Sequence, residues 1–122
     1  MDRRGFHAWL EAYFRAWESN DPEDVAALFT EDAVYRVGPF RPPYVGRDEV
    51  VQRWIEGGST DMDHRFEIIA VEGDVGVARW HVTTQLPGDR VKVEHDGVLV
   101  ITFAPAGRCR DHLEWYERRE LE

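Results

Sequence analysis

The chain has 122 residues, of which 43% are hydrophobic, and this predicts one globular domain spanning residues 1–122. The formal net charge of −9 and a pI near 5.0 leave no basic surface for a phosphate backbone, so we expect no nucleic-acid partner. With no signal peptide, no bilayer-spanning segment and one cysteine, Cys109, which excludes an internal disulfide, we expect a soluble cytoplasmic protein without a membrane partner.

Aromatic residues dominate the apolar stripe of the first predicted helix. The stripe follows the spacing i, i+3, i+4, i+7, i+8, i+11 and consists of Phe6, Trp9, Leu10, Tyr13, Phe14 and Trp17. Buried tryptophan N–H and tyrosine O–H groups need hydrogen-bond partners, so the stripe favours a helix that roofs a cavity. A helix that fills a solid core would show the same spacing.

Two further helices are predicted before residue 60. Asp21, Pro22 and two acidic residues begin the second helix, whose apolar face ends at Phe29, and a short strand at 33–37 follows. Three prolines make residues 38–44 a loop. The third helix begins near Gly46 and ends at Gly57-Gly58; its predicted buried residues are Val50, Val51, Trp54 and Ile55.

The rest of the chain is predicted to be an antiparallel meander. Four strand-like runs, at 63–72, 75–86, 91–103 and 108–119, are separated by turn sequences at 72–74, 87–89 and 104–107. Helices first and a meander second indicate an α+β fold, with three N-terminal helices packed on a curved, mainly antiparallel sheet.

The last two strands are apolar on both faces, so the outer face needs cover. Alternation turns four apolar side chains outward: Val98, Val100, Leu113 and Trp115. A contiguous exposed patch of this kind usually marks an interface, and it predicts a homodimer through the outer face of the sheet.

The order of elements and several stretches resemble the nuclear transport factor 2-like superfamily, in particular its SnoaL-like and ketosteroid-isomerase-like enzymes. These stretches are WESNDPEDVAALFTEDAV at 17–34, YVGRDEV at 44–50, HDGVLVITF at 95–103 and GRC at 107–109. The resemblance implies a cone-shaped, barrel-like fold that encloses a pocket. Because this superfamily combines one scaffold with many reactions, the chemistry has to be argued from the pocket residues.

Comparison with the steroid isomerases transfers only one catalytic residue. Tyr13 falls where those enzymes have the tyrosine that stabilises an oxyanion, but Val37 and Leu99 occupy the positions of their two catalytic aspartates. Without the base, the steroid isomerase mechanism is disfavoured. Comparison with scytalone dehydratase places His64 at the start of a pocket-facing strand, where an imidazole suits acid–base work near neutral pH. The alternative for His64 is a solvated histidine at a strand end.

Glu114 is the strongest candidate base. Alternation places it on the concave face, where an unpaired carboxylate costs several kcal/mol, and burial would raise its pKa toward neutrality. The alternative is a structural ion pair with Arg36, Arg79 or an arginine near the open end. All of these inward assignments depend on strand parity, which a bulge would reverse.

The predicted catalytic residues are therefore Tyr13, His64 and Glu114. The predicted ligand-binding residues are Trp17, Phe29, Tyr35, Trp54, Trp80, His95, Leu99, His112 and Tyr116. No metal-ligand spacing and no nucleotide-binding loop occur, so no metal and no cofactor are expected. Two functions fit: an acid–base isomerase, dehydratase or cyclase acting on a small apolar or aromatic molecule, or a non-catalytic module that binds such a molecule or assembles as a dimer. A third reading, a cavity filled by Trp54 and Trp80, predicts no ligand.

Overall fold

The computed structural model describes residues 1–57, 60–85 and 91–121. In these ranges the helices are α1 Arg3–Ser19, α2 Pro22–Ala26 and α3 Arg47–Glu56. The strands are β1 Phe29–Val37, β2 Tyr44–Val45, β3 Thr60–Glu72, β4 Val75–Gln85, β5 Lys92–Phe103 and β6 Cys109–Leu121. The predicted α+β class, with three N-terminal helices on a mainly antiparallel sheet, is confirmed.

The six strands form one open sheet in the order β2-β1-β6-β5-β4-β3. All neighbours are antiparallel except β1 and β6, which run parallel. Strands β3 to β6 form the predicted meander. Strand β1 pairs with β6, the last strand of the meander, and β2 pairs with β1 at the edge of the sheet. The pairing brings Tyr35 opposite His112 and Val37 opposite Glu114.

Helix α1 packs its aromatic stripe onto the concave face of the sheet. Phe6, Leu10 and Phe14 are fully buried, and Tyr13 is 2% exposed. Trp9 satisfies its buried N–H by donating to the carbonyl oxygen of Leu28 at 3.2 Å. At the start of the helix, the Asp2 carboxylate accepts a hydrogen bond from the Gly5 N–H and caps the first turn.

Several predicted boundaries are corrected. Helix α2 ends at Ala26, and Phe29 begins β1 instead of contributing to the helix, because its buried ring packs against Trp9 and Tyr35. The strand predicted at 91–103 is one residue shorter, and those predicted at 63–72 and 108–119 run over 60–72 and 109–121. The strand predicted at 75–86 is observed over 75–85, and residue 86 lies outside the described residues. Gly58 and the turn predicted at 87–89 lie outside the described residues.

Alternation assigns the faces of β5 and β6 correctly. Leu99, Ile101 and Phe103 are buried on the concave side, whereas Trp115 is 47% exposed on the outer side. The register between β5 and β6 is continuous from residue 92 to residue 102. A bulge would have reversed the predicted faces, but the register of this strand pair shifts only between Thr102 and Phe103. In the described parts of the chain, none of the helices has the length and apolar character that crossing a bilayer requires.

Candidate functional site

An open cavity of about 230 Å³ lies between α1, α3 and the concave face of the sheet. Its wall is mainly aromatic, with a few polar groups, which is the usual form of a small-molecule site. The lining residues are Tyr13, Trp17, Tyr35, Val37, Arg41, Tyr44, Val50, Arg53, Trp54, Gly57, Trp80, His95, Glu114 and Tyr116. Trp54 and Trp80 line this space and do not fill it. The alternative prediction, a cavity filled by these two side chains, is therefore wrong.

Glu114 supplies the carboxyl group of this cavity. Its side chain is 5% exposed and accepts a hydrogen bond from the Tyr35 hydroxyl at 3.1 Å. Burial raises the pKa of Glu114 to about 7, while the Tyr35 hydrogen bond and the nearby Arg41 charge act in the opposite direction. The two arginines considered as structural partners pair elsewhere: Arg36 with Asp111 and Arg79 with Asp96.

The Glu114 carboxyl ends a chain of four hydrogen-bonded side chains. The Tyr35 hydroxyl lies 3.2 Å from the Tyr13 hydroxyl, which lies 3.1 Å from Nε2 of His112. The Tyr35 ring also stacks on the His112 ring, with their centroids 3.7 Å apart. Three elements, α1, β1 and β6, therefore meet at one buried polar network.

The direction of these hydrogen bonds follows from the ionised state of Glu114. Tyr35 donates to the carboxylate, so its oxygen accepts from Tyr13, and the Tyr13 oxygen in turn accepts from Nε2–H of His112. With Glu114 ionised, we therefore assign the His112 proton to Nε2. Burial lowers the pKa of His112 to about 3, so the ring is neutral at physiological pH.

Two arginines lie where the cavity opens. Arg41 is exposed in the loop after β1, and its guanidinium lies 5.9 Å from the centroid of the Tyr116 ring. Arg53 is exposed on α3, and its guanidinium lies 5.7 Å from the Tyr44 ring centroid. Both contacts have cation–π geometry, which orients a guanidinium without neutralising it.

Some buried polar atoms of the cavity wall lack hydrogen-bond partners within the described residues. They are the indole N–H groups of Trp54 and Trp80 and Nδ1 of His95. Burial lowers the pKa of His95, and the Arg118 charge adds to the effect. A buried donor without a partner is costly, so a ligand or water that accepts hydrogen bonds would be favoured near the two indoles.

Most of the predicted ligand-binding side chains line the cavity, but three do not. Phe29, Leu99 and His112 are fully buried beneath it, because other core side chains cover them. Of the predicted catalytic groups, Tyr13 and Glu114 are brought together through Tyr35.

His64 lies outside the cavity, contrary to the prediction that it stands at the pocket wall. Strand β3 is the edge of the sheet, and the exposed His64 ring stacks on Phe14 with centroids 5.1 Å apart. At this point α1 covers the face of the sheet that alternation predicted for His64. The imidazole therefore lies beside α1 and not in the cavity.

The sequence interpretation missed part of the wall on α3 and its preceding loop. Val50, Arg53 and Gly57 line the cavity beside Trp54, the one residue of this stripe that was predicted to bind ligand, and the four positions follow the helical spacing i, i+3, i+4 and i+7. That spacing was visible in the sequence, but a stripe that includes an arginine does not look like a buried face. Cys109, by contrast, is fully buried, and burial raises the pKa of its thiol well above the usual range, which disfavours a nucleophile.

Replacing Tyr35 with phenylalanine is expected to raise the pKa of Glu114 above about 7, because a hydrogen bond that stabilises the carboxylate is lost while burial remains. NMR titration of the Glu114 side-chain carboxyl carbon measures this directly. Tyr44→Phe is the matched control, since it removes a hydroxyl from the ring that stacks on Tyr35 but leaves the Tyr35 hydrogen bond in place. An unchanged or lower pKa in Tyr35→Phe would contradict the network.

Comparison with known proteins gives one family. The profile of the SnoaL-like domain matches residues 10–112. No curated protein sequence matches the chain significantly.

Solved structures with the same fold cover nearly the full chain. A scytalone dehydratase-like protein from Novosphingobium aromaticivorans has a TM-score of 0.77 and 17% identity, covering 98% of this chain and 87% of that one. The epoxide hydrolase/cyclase-like enzyme SalBIII, involved in pyran ring formation in the polyether salinomycin, has a TM-score of 0.76 and 18% identity, with 95% and 93% covered. A ketosteroid isomerase-like protein from Erwinia carotovora atroseptica has a TM-score of 0.70 and 21% identity, with 90% and 92% covered.

Proposed function

Since the chain belongs to the SnoaL-like domain family, we propose that it is an enzyme that moves protons on a small apolar or aromatic molecule, with Glu114 as general base and general acid. One observation carries the proposal: the carboxyl group of Glu114 is buried in the wall of an aromatic cavity. Its pKa of about 7 allows both protonation states near neutral pH. Isomerase, dehydratase and cyclase activities all use such a step. The family and its solved relatives support this range of reactions and leave the substrate open.

In the proposed step, the Glu114 carboxylate takes a proton from a C–H bond beside a carbonyl group. The electron pair of that bond moves to the carbonyl oxygen and gives an enolate. Where the enolate is conjugated with a C=C bond, protonated Glu114 returns the proton to the far carbon of that bond, which isomerises the substrate. Where the β-carbon carries a hydroxyl, Glu114 protonates it, and it leaves as water while the enolate electrons form a C=C bond and the carbonyl is restored. One carboxyl group is sufficient for both halves of the reaction.

The two tyrosines have a defined part in this mechanism. When Glu114 is ionised, the Tyr35 O–H is held by the carboxylate. Once Glu114 carries the proton, its own O–H can donate to the Tyr35 oxygen, which frees the Tyr35 O–H to turn toward the enolate oxygen. Tyr13 keeps Tyr35 in place from the other side, so we assign it as a positioning residue in place of the direct donor predicted from the sequence. His64 has no part, because it lies outside the cavity.

The proposal is tested by proton exchange at carbon. The protein is incubated in deuterated buffer with β-tetralone, an aromatic ketone with acidic C–H bonds, and deuterium incorporation is followed by proton NMR. We expect exchange faster than in buffer, with a rate that increases with pH and levels off above about pH 7, because the ionised carboxylate is the active form. Binding of β-tetralone without exchange would instead support the non-catalytic binding module.

We also propose that the protein forms a homodimer through the outer face of the sheet. The four apolar residues predicted there are two adjacent cross-strand pairs, Val98 with Trp115 and Val100 with Leu113. Trp115 is 47% exposed, so this patch presents a large aromatic surface to solvent.

Replacing Trp115 with arginine is expected to convert the dimer to a monomer, because it replaces the most exposed apolar side chain of the patch with a charge. Analytical ultracentrifugation of both proteins measures the change. Phe40→Arg is the control: Phe40 is 94% exposed, but it lies in the loop after β1 and away from the patch. A monomeric wild-type protein, or a dimer that survives in Trp115→Arg, would refute this interface.

A further inference from the structure

Arg41 and Arg53 give the cavity a feature that proton transfer does not require. Both residues line the cavity, and both are exposed, so they mark its opening to solvent. Arg41 lies between prolines at positions 39 and 42, which restrict the backbone and reduce the conformational entropy lost when its side chain binds a ligand. Arg53 is held on the regular backbone of α3.

The positive charge of these two arginines is largely unpaired. No carboxylate lies within ion-pair distance of Arg41 in residues 1–57, 60–85 and 91–121. Among the described residues, the one carboxylate within ion-pair distance of Arg53 is that of Glu56, at 3.9 Å. Both side chains are more than half exposed, and such a pair contributes little. Elsewhere the chain, with 24 acidic and 15 basic residues, places carboxylates beside arginines, as in the pair of Arg119 with Glu94.

Contacts with aromatic side chains orient the two guanidinium groups, and Arg41 also makes a side-chain hydrogen bond with Tyr116, which leaves the rest of its five N–H donors for a ligand. Arg41 lies over Tyr116 and Arg53 over Tyr44, and all four residues line the same cavity. The planar edge of a guanidinium binds a carboxylate or a similar planar oxyanion through two parallel hydrogen bonds.

We infer that the ligand of this cavity carries an acidic group, which Arg41 and Arg53 bind at the opening, while its apolar or aromatic body lies against the tryptophan rings. The inference rests on the proposed function only in taking this cavity as the substrate site. The charges also orient the ligand: the Glu114 carboxyl deeper in the cavity repels an anion, whereas the arginines attract it, so the reacting carbon faces Glu114 and the acid faces solvent.

Two isosteric probes test this inference, namely naphthoate and its neutral amide, naphthamide. Isothermal titration calorimetry at about pH 6 keeps naphthoate ionised and Glu114 mostly protonated, so repulsion by Glu114 is minimal. We expect the wild-type protein to bind naphthoate about tenfold more tightly than naphthamide, and the double variant Arg41→Gln/Arg53→Gln to lose that preference. Naphthamide affinity should be the same in both proteins. Arg15→Gln, which removes an exposed arginine of α1 that does not line the cavity, should keep the preference.

The outcomes separate this inference from the proposed function. If naphthamide binds but naphthoate is not preferred, or if the preference survives in the double variant, the acidic-group inference is wrong and the exchange test of Glu114 is unaffected. If the preference depends on the arginines but β-tetralone shows no exchange, the anion site stands and the catalytic proposal is wrong. If neither probe binds the wild-type protein, the cavity does not take aromatic ligands and the inference is overturned.

Discussion

Replacing Glu114 with glutamine is expected to lower the rate of deuterium exchange into β-tetralone by about a hundredfold or more. Glutamine has nearly the same shape, and its side-chain oxygen can still accept the hydrogen bond from Tyr35, so the fold and the cavity should be preserved. It cannot take up or return a proton. The loss should therefore appear in the exchange rate, while the affinity for naphthamide stays the same.

Glu117→Gln is the matched control for this variant. It makes the same chemical change three residues further along β6, at an exposed position that does not line the cavity. We expect it to exchange β-tetralone at the wild-type rate. If Glu114→Gln also retained the wild-type rate, Glu114 would not be the base, and the non-catalytic function would be the better explanation of the buried network.

Replacing Gly97 with alanine is expected to destabilise the protein by about 3 kcal/mol and to disturb the cavity. Gly97 pairs with Tyr116 across β5 and β6, and a Cβ atom at this position would lie 2.6 Å from Cβ of Tyr116 and against the backbone oxygen of Trp115. Relief requires movement of the β6 backbone, because the backbone oxygen cannot rotate away. Urea denaturation measures the loss of stability.

The control for Gly97→Ala is Gly57→Ala, at the end of α3. There a Cβ atom would be at least 3.6 Å from its nearest neighbours and the backbone φ of −80° suits any residue. We expect its free energy of unfolding to stay within about 0.5 kcal/mol of the wild-type value. A similar loss in both variants would show that the cost comes from removing glycine itself, and not from the close approach of β5 and β6.

Periodicity predicted the faces of the sheet because alternation is a local property of an extended backbone. It identified Glu114 as an inward carboxyl, and it placed His95 and Tyr116 on the same concave side, where both line the cavity. The positions of the helices followed from capping residues and helical spacing, and the family resemblance added the curved shape of the sheet.

Depth below the surface is a property of the whole fold, and alternation does not contain it. Leu99 and Tyr116 both face inward, yet Leu99 is fully buried under the cavity and Tyr116 forms part of its wall. His64 is on the expected face, but it lies on an edge strand, where its exposed ring packs beside Phe14 of α1 and outside the cavity. Arg41 could not be placed from sequence either, because a loop with three prolines has no periodicity from which to infer a direction.

The proximity of His112 and Glu114, two residues apart on the buried face of β6, has a consequence for the response of the protein to acid. Between about pH 4.5 and 6.5 the unfolded chain carries one proton on the histidine, whereas the folded pair carries one proton on the carboxyl group. Folding therefore transfers a proton from one residue to the other without uptake or release. As pH rises through this window, the contribution of Glu114 to the free energy of unfolding decreases, because its pKa is raised in the folded protein. The contribution of His112 increases by the same amount, because its pKa is lowered there, and the two changes cancel.

Glu114→Gln should remove that compensation. With His112 left alone, the free energy of unfolding should decrease by about 1.4 kcal/mol for each pH unit below about 6.5, whereas in the wild-type protein the pair makes no net contribution to the slope until about pH 4.5. Urea denaturation of the two proteins across this range measures the difference in slope. The buried carboxyl therefore lowers stability toward neutral pH by the amount that the buried histidine lowers it toward acid, and the fold keeps a nearly constant stability from this pair across the window.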